Sequence, residues 1–361
     1  MSDTLIIGAG VIGLMLARAL AIKGQRVTLL DRQSFGRASS WAGGGIVSPL
    51  YPWRYQDAVT QLASWSQGQY PKLSRELREQ TGVDPEFDQQ GLLLLDINDE
   101  SEALSWSARY ERELTRVDSQ RLCELEPQLQ GSNRNGLWMP EVGSIRNPRL
   151  LQALIRWVRQ SSRVTSLENS GEIRLRVHKG KIEGVGSANY GKLSAGKVVV
   201  AAGAWSGPIL NSVGVDLPVV PVRGQMLLYK AQPGLIKRIT LVGNRYVIPR
   251  RDGRILVGSS LEYEGYNAYP TIEQRYSLER TAQEIIPALA DYPVEKHWAG
   301  LRPGSSQGVP FIGEVTNTKG LYVSAGHFRN GLVLAPASTH LLACQITGER
   351  CDLDPMPYCV P

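Results

Sequence analysis

Gly8, Gly10 and Gly13 stand in G-x-G-x-x-G spacing directly after the apolar run Leu5-Ile6-Ile7, and Asp31 follows about twenty residues on. These residue types handle a dinucleotide. Gly8 permits a tight turn, Gly10 lets the backbone approach a pyrophosphate, and Gly13 lets the next helix press on the strand. The helix N-terminus then faces the phosphates. Asp31 closes the strand Arg26–Leu30 and offers a carboxylate to ribose hydroxyls. A second cluster, Phe35 to Ile46, is dense in glycine and holds the hydroxyls of Ser39 and Ser40. Its backbone can approach a ligand closely. A third, Gly326-His-Phe-Arg-Asn-Gly, ends where an apolar helix begins, and a helix start stabilises negative charge placed before it.

The elements that must carry these groups follow from periodicity. Leu14, Ala17 and Leu20 continue the fingerprint as one face of a helix. Residues 56–80 have helical patterning, Gly91-Leu-Leu-Leu-Leu-Asp reads as a strand, and 99–125 reads as surface helices. Asn147-Pro148 predicts a capped helix start, with Leu150, Leu151, Leu154, Ile155 and Val158 behind it. The run Lys197-Val-Val-Val-Ala-Ala-Gly-Ala-Trp-Ser-Gly reads as a central parallel strand ending in a glycine turn. Residues 218–260 alternate in strand fashion, 271–289 predict a helix, and Leu321–Ala325 predicts a last strand before the helix at 332–346. The fold class is therefore α/β. A discontinuous Rossmann-type dinucleotide domain is expected from residues 1–80, 145–215 and 300–361. A mostly antiparallel α+β substrate domain is expected from 81–144 and 216–299.

The 361 residues are 42% hydrophobic and 20% charged, ordinary values for a globular chain large enough for two such units. No apolar stretch approaches the ~20 residues of a membrane span, and no leader pattern precedes the first strand, so a cytoplasmic protein is expected. The net charge of +6 is scattered and not gathered into runs, which argues against a nucleic-acid partner. Cys123, Cys344, Cys351 and Cys359 lack C-x-x-C spacing and read as free thiols. The four histidines are well separated, and no metal is expected. Homo-oligomerisation is left open.

The single fingerprint, the second cradle at 39–45 and the helix start after Gly326 favour FAD over a nicotinamide cofactor. The chain at this point resembles a known family. The fingerprint, Ala38-Ser-Ser-Trp-Ala-Gly-Gly-Gly, Val200-Ala-Ala-Gly-Ala-Trp-Ser, Gly300-Leu-Arg-Pro-Gly and Gly326-His-Phe-Arg-Asn-Gly-Leu-Val-Leu-Ala-Pro together resemble the D-amino-acid oxidase superfamily. They resemble its glycine oxidase branch in particular, a branch tied to thiamine thiazole synthesis. The likeness runs from Thr4 to about Gly348.

The resemblance implies FAD contacts at Gly8, Gly10, Val11, Ile12, Gly13, Asp31, Arg32, Ala38 and Ser39, and at Gly43, Gly44 and Gly45. It continues them through Glu172, Gly203, His327, Phe328, Arg329, Asn330, Gly331, Leu332 and Val333. The cysteine used for covalent flavin attachment in the sarcosine oxidase branch has no counterpart, so non-covalent FAD is expected. On the substrate side, hydride transfer from a neutral amine needs positioning more than acid–base groups. By type, Arg302 fits either a surface turn or a bidentate carboxylate anchor, and the resemblance selects the anchor. Tyr246 is expected to support the same carboxylate, and Arg329 to position the amine through its backbone. His327 is not needed as a base. Tyr51 and Trp53 either cap the entrance or pack between the two units. Asn244 and Leu261 stand where the branch commonly carries histidine and methionine. The implied reaction is oxidation of glycine or another small amino acid or secondary amine. O2 is reduced to hydrogen peroxide, and the imine hydrolyses to a keto acid. A dehydrogenase passing electrons to a quinone or protein acceptor is the alternative.

Overall fold

A computed structural model describes residues 2–129, 134–306 and 308–361. Its centre is a six-stranded sheet in the order Phe311–Glu314, Leu321–Ala325, Val198–Val200, Thr4–Ile7, Val27–Leu30 and Val164–Leu167. Only the first pair is antiparallel. The strands are apolar throughout because both faces are covered. Ile6, Leu29 and Val199 turn to one face, where the helices Val11–Ile22, Asn147–Gln160 and Gly331–Thr347 pack with Leu14, Leu154 and Leu341. Leu5, Ile7, Val198 and Val200 turn to the other face. There they meet Leu175, Ile182 and Val185 of a three-stranded antiparallel sheet, Ile173–His178, Lys181–Ser187 and Gly191–Ser194.

The second large sheet has eight strands. Its order is Val294–Ser305, Val219–Lys230, Arg254–Gly258, Arg245–Pro249, Ile239–Val242, Leu92–Leu95, Gly136–Met139 and Thr115–Val117. Neighbours are antiparallel except Ile239–Val242 on Leu92–Leu95. One face, with Leu227, Val247 and Val257, is covered by Leu278, Ala282 and Ile285 of the helix Ile272–Ile285. The other face carries Tyr246, Ile248, Met226 and Leu256, packed against Ile46 and Leu50 of the glycine-rich loop. Val294–Ser305 carries this sheet past the expected boundary at 300.

Three local expectations are corrected. Asn147 is the first helical residue and not the cap, because its buried amide Nδ2 donates to the Ser40 carbonyl at 2.8 Å. The helix expected over 271–289 stops at Ile285, since Pro287 cannot continue it and holds Ile286 extended. The stretch 99–125 is not all helix: Thr115–Val117 pairs with Gly136–Met139 between the helices Glu100–Arg109 and Ser119–Leu125.

The fingerprint glycines each have a steric reason. A Cβ on Gly8, whose φ is +102°, would lie 2.4 Å from the Ala201 carbonyl oxygen, and one on Gly13 would lie 1.8 Å from that of Gly8. Gly13→Ala should therefore destabilise the protein by about 1–3 kcal/mol through overpacking and weaken cofactor retention. Urea unfolding and the flavin content of the purified variant check both effects.

Candidate active site

The carboxyl ends of Thr4–Ile7, Val27–Leu30 and Val198–Val200 open into one cavity of about 710 Å³. Gly8, Gly10, Val11, Ile12, Asp31, Arg32 and Gly203 line it at that end. Asp31 accepts from the amides of Ala9 (2.7 Å) and Gln33 (2.9 Å), and burial raises its carboxyl pKa. The Arg32 guanidinium stacks over the Trp205 ring at 5.4 Å. Glu172 also borders this end, with its side chain turned out to Arg174.

In the middle, Ala38, Ser39 and Gly43 to Gly45 form the wall. Ser40 Oγ accepts from the Val11 amide at 3.0 Å, which joins this loop to the start of the first helix. Donors from neighbouring elements hold the loop's carbonyls. Asn147 takes Ser40, the Trp298 indole takes Ala42 (3.1 Å), Arg250 takes Gly44 (2.6 Å), and the Ile145 amide takes Gly45 (2.8 Å). Arg250 is buried enough that its pKa falls to about 10, yet it stays charged at neutral pH. Neither Arg250 nor Asn147 was singled out from sequence as a support for the loop. Arg250 lies in a hairpin turn with no distinguishing pattern, and Asn147 reads as a helix cap.

At the far end His327, Phe328, Arg329, Gly331 and Leu332 reach the cavity. Gly13, Asn330 and Val333 do not line it. Gly13 is spent on helix–strand packing, Val333 turns into the helical core, and Asn330 is buried beneath the turn. Burial holds the His327 pKa down to about 3, and Nε2 shares a hydrogen bond with Ser338 Oγ at 3.2 Å. A neutral, enclosed imidazole of this kind is no base.

Arg302, Tyr246 and Arg329 face the same cavity. Arg302 lies opposite Val222 in the sheet, and its guanidinium folds across Gly224, where a Cβ would come within 2.2 Å of it. Nη2 donates to Ser259 Oγ (2.6 Å) and Nη1 to the Ser260 carbonyl (3.1 Å). Among the described residues no carboxylate lies within ion-pair distance of Arg302. Glu262, the acid nearby, is held by Arg223 at 2.6 Å and by Gln225. Desolvation pulls the Arg302 pKa down, the neighbouring Tyr246 phenol opposes that shift, and Arg329 adds to it. Tyr246 OH donates to Met226 Sδ at 3.4 Å, and its ring rests on Gly44. Arg329 Nη1 donates to Asn244 Oδ1 at 3.3 Å, so Asn244 has a definite role. Leu261 is 44% exposed and lies off the cavity wall.

Tyr51 and Trp53 lie behind that wall. Tyr51 donates to the Gly243 carbonyl (2.7 Å) under the Arg54 guanidinium, and Trp53 donates to Asp99 (2.8 Å). Of their two expected roles, the structure gives them packing between the two units.

The cavity is long, with a glycine-cradled helix start at one end and two guanidinium groups at the other. Ser324 Oγ, on its wall, is buried without a partner in the chain. This suits an extended dinucleotide with a small anion beside it.

Comparison with known proteins gives a consistent picture. The family model described as FAD dependent oxidoreductase (DAO) matches residues 3–345. A glycine oxidase of Pseudomonas aeruginosa is 48% identical over 354 residues, 98% of this chain and 97% of that protein. The crystal structure of glycine oxidase from Geobacillus kaustophilus superposes with a TM-score of 0.91 at 25% identity, covering 100% of this chain and 98% of that one. That of Bacillus cereus gives 0.88 at 29% identity, covering 98% and 100%.

The His327 shift sets a pH dependence. Its folded pKa lies below the unfolded value of about 6.5, so its contribution is complete above that pH. Stability falls as the pH drops from about 6.5 toward 3, by up to about 1.4 kcal/mol per pH unit. Denaturant unfolding of His327→Asn should show a flatter acid limb than the wild type.

Proposed function

The chain belongs to the family of FAD-dependent oxidoreductases, and we propose that it oxidatively deaminates a small amino acid. From that premise we propose glycine as the substrate, with Arg302 as its carboxylate anchor. One observation carries the reading: a desolvated guanidinium with no internal carboxylate faces a cavity that it shares with the dinucleotide cradle. Such a charge calls for an anionic ligand.

The fingerprint and the Gly326–Leu332 turn would hold FAD, which when bound would supply the acceptor for the α-hydride and pass the electrons to O2 as hydrogen peroxide. The residues of the chain select and orient. Arg302 presents a planar fork to the carboxylate, and Tyr246 stands beside that fork to add a second donor. With the carboxylate charge met by Arg302, the Arg329 charge disfavours an ammonium group nearby. The amine is thereby biased to the neutral form from which hydride departs, and no base is required. Two-point holding of the carboxylate limits the directions that the α-carbon can take, which supplies the orientation. The imine product hydrolyses to glyoxylate and ammonia. No cysteine lines the cavity among the described residues, which supports a non-covalent cofactor. The thiols are Cys123, Cys344, Cys351 and Cys359.

Peroxide release on glycine tests the anchor. Arg302→Ala should lower kcat/KM by about 30- to 4,000-fold, equivalent to about 2–5 kcal/mol for an unanswered buried carboxylate. Tyr246→Phe should lose roughly tenfold. Equal turnover by Arg302→Ala and wild type, at equal flavin content, removes the assignment. Acid precipitation should release all the flavin into the supernatant; colour retained in the pellet contradicts non-covalent binding.

A further inference from the structure

Away from the cavity, the helix Gly331–Thr347 carries His340 and Cys344 one turn apart on one face. The chain leaves that helix at Gly348 and brings Cys351 and Asp352 back against it. His340 Nε2, Cys344 Sγ and Cys351 Sγ lie within 4.8 Å of one another. Asp352 Oδ1 is 2.7 Å from His340 Nε2 and 3.9 Å from Cys351 Sγ. We propose that these four residues form a structural binding site for a borderline-soft divalent cation of the zinc class.

The donor set is two thiols, one imidazole and one carboxylate, the ligands that such an ion takes in tetrahedral geometry. Around zinc the donors stand about 3.3–3.8 Å apart. The histidine–aspartate contact therefore opens by about half an ångström, while the 4.0 Å separation of His340 Nε2 and Cys344 Sγ closes slightly. Surrounding groups already orient the ligands. Trp65, on the helix Asp57–Thr81, donates from Nε1 to Asp352 Oδ2 at 2.9 Å and leaves Oδ1 turned inward. Its ring stacks on His340 at 4.7 Å with 15° between the planes, fixing the imidazole. Outer partners of this kind set ligand direction and affinity. The side chain of Asp352 is 62% exposed, so the ion has a path in from solvent.

The two thiols are the softest donors of the set, and thiolate is the form that binds a metal ion. A metal ion displaces the proton directly, so uptake should release protons and tighten as pH rises. From Gly331 to His340 the helix advances roughly 14 Å. The site stands apart from the cavity, and its effect is to fasten the C-terminal segment to two helices.

The test uses the FAD-loaded enzyme, kept reduced with a phosphine, dialysed against chelator and titrated with Zn²⁺ against a chromophoric competitor. One ion per chain is expected, with Co²⁺ giving a thiolate charge-transfer band in the difference spectrum. Cys351→Ser should weaken uptake by about 100-fold or more, and Trp65→Phe, which keeps the stacking and loses the Nε1 donor, by about tenfold. Zn²⁺ should raise the thermal midpoint of the wild type and not that of Cys351→Ser, with flavin content and glycine turnover unchanged in both. Should Cys344→Ser fail to fold, Cys351→Ser and Asp352→Asn on the exposed segment still decide the question. Uptake by wild type no tighter than by Cys351→Ser, or a cobalt complex without the thiolate band, overturns the site.

Discussion

A guanidinium withdrawn from water and left without a carboxylate is unfavourable unless something else answers it. Arg302 is in that state, and much of the architecture serves to keep it there. Gly224 clears the space it crosses, Ser259 and Ser260 take two of its donors, and Arg223 holds the one acid that would otherwise neutralise it. Neutral partners satisfy the hydrogen-bonding geometry and leave the charge available. On the proposed reading, an acidic ligand would meet that charge at the end of the cavity opposite the fingerprint turn.

The two large sheets divide the work. The parallel sheet offers strand ends and a helix start, a geometry suited to a long, polar, phosphate-bearing molecule. The eight-stranded sheet offers a broad face on which Tyr246 and Met226 meet, with Arg302 reaching round from the neighbouring strand. The loop 39–45 lies between them. Its outward carbonyls are fastened by groups from both sides, Asn147 from one and Arg250 and Trp298 from the other. It is therefore a fixed wall and not a movable flap.

What was legible in the sequence was what is local. Gly8, Gly10, Gly13 and Asp31 announce themselves because turn, helix start and acid lie within one short segment. The apolar strands and the helix at 331–347 follow from periodicity. Arg302 and Tyr246 stood out only through their flanking motifs, since the register that brings strands at 219–230, 245–249 and 294–305 together is non-local. Asn147 read as a cap because Asn-Pro carries that signal strongly, and nothing nearby in sequence reveals that its amide is needed by Ser40. Tyr51 and Trp53 kept two readings until their partners Gly243 and Asp99 were seen. His340 and Cys344 lie one helical turn apart, but Cys351 lies beyond the end of that helix, and Trp65, which orients His340 and Asp352, comes from a distant segment.

The parallel sheet is assembled from three stretches, 4–30, 164–200 and 311–325, with Thr4–Ile7 between Val27–Leu30, which follows it closely, and Val198–Val200, which follows it by well over a hundred residues. On the ribosome the first strand and its phosphate turn emerge early and have nothing to pair with on one side. The last turn lining the pocket, at 326–332, emerges only after all the strands of this sheet have been made. Closure of the sheet is therefore a late, long-range event, slow by its topology. A pocket wall drawn from residues 7–332 is complete only once residue 332 has left the ribosome.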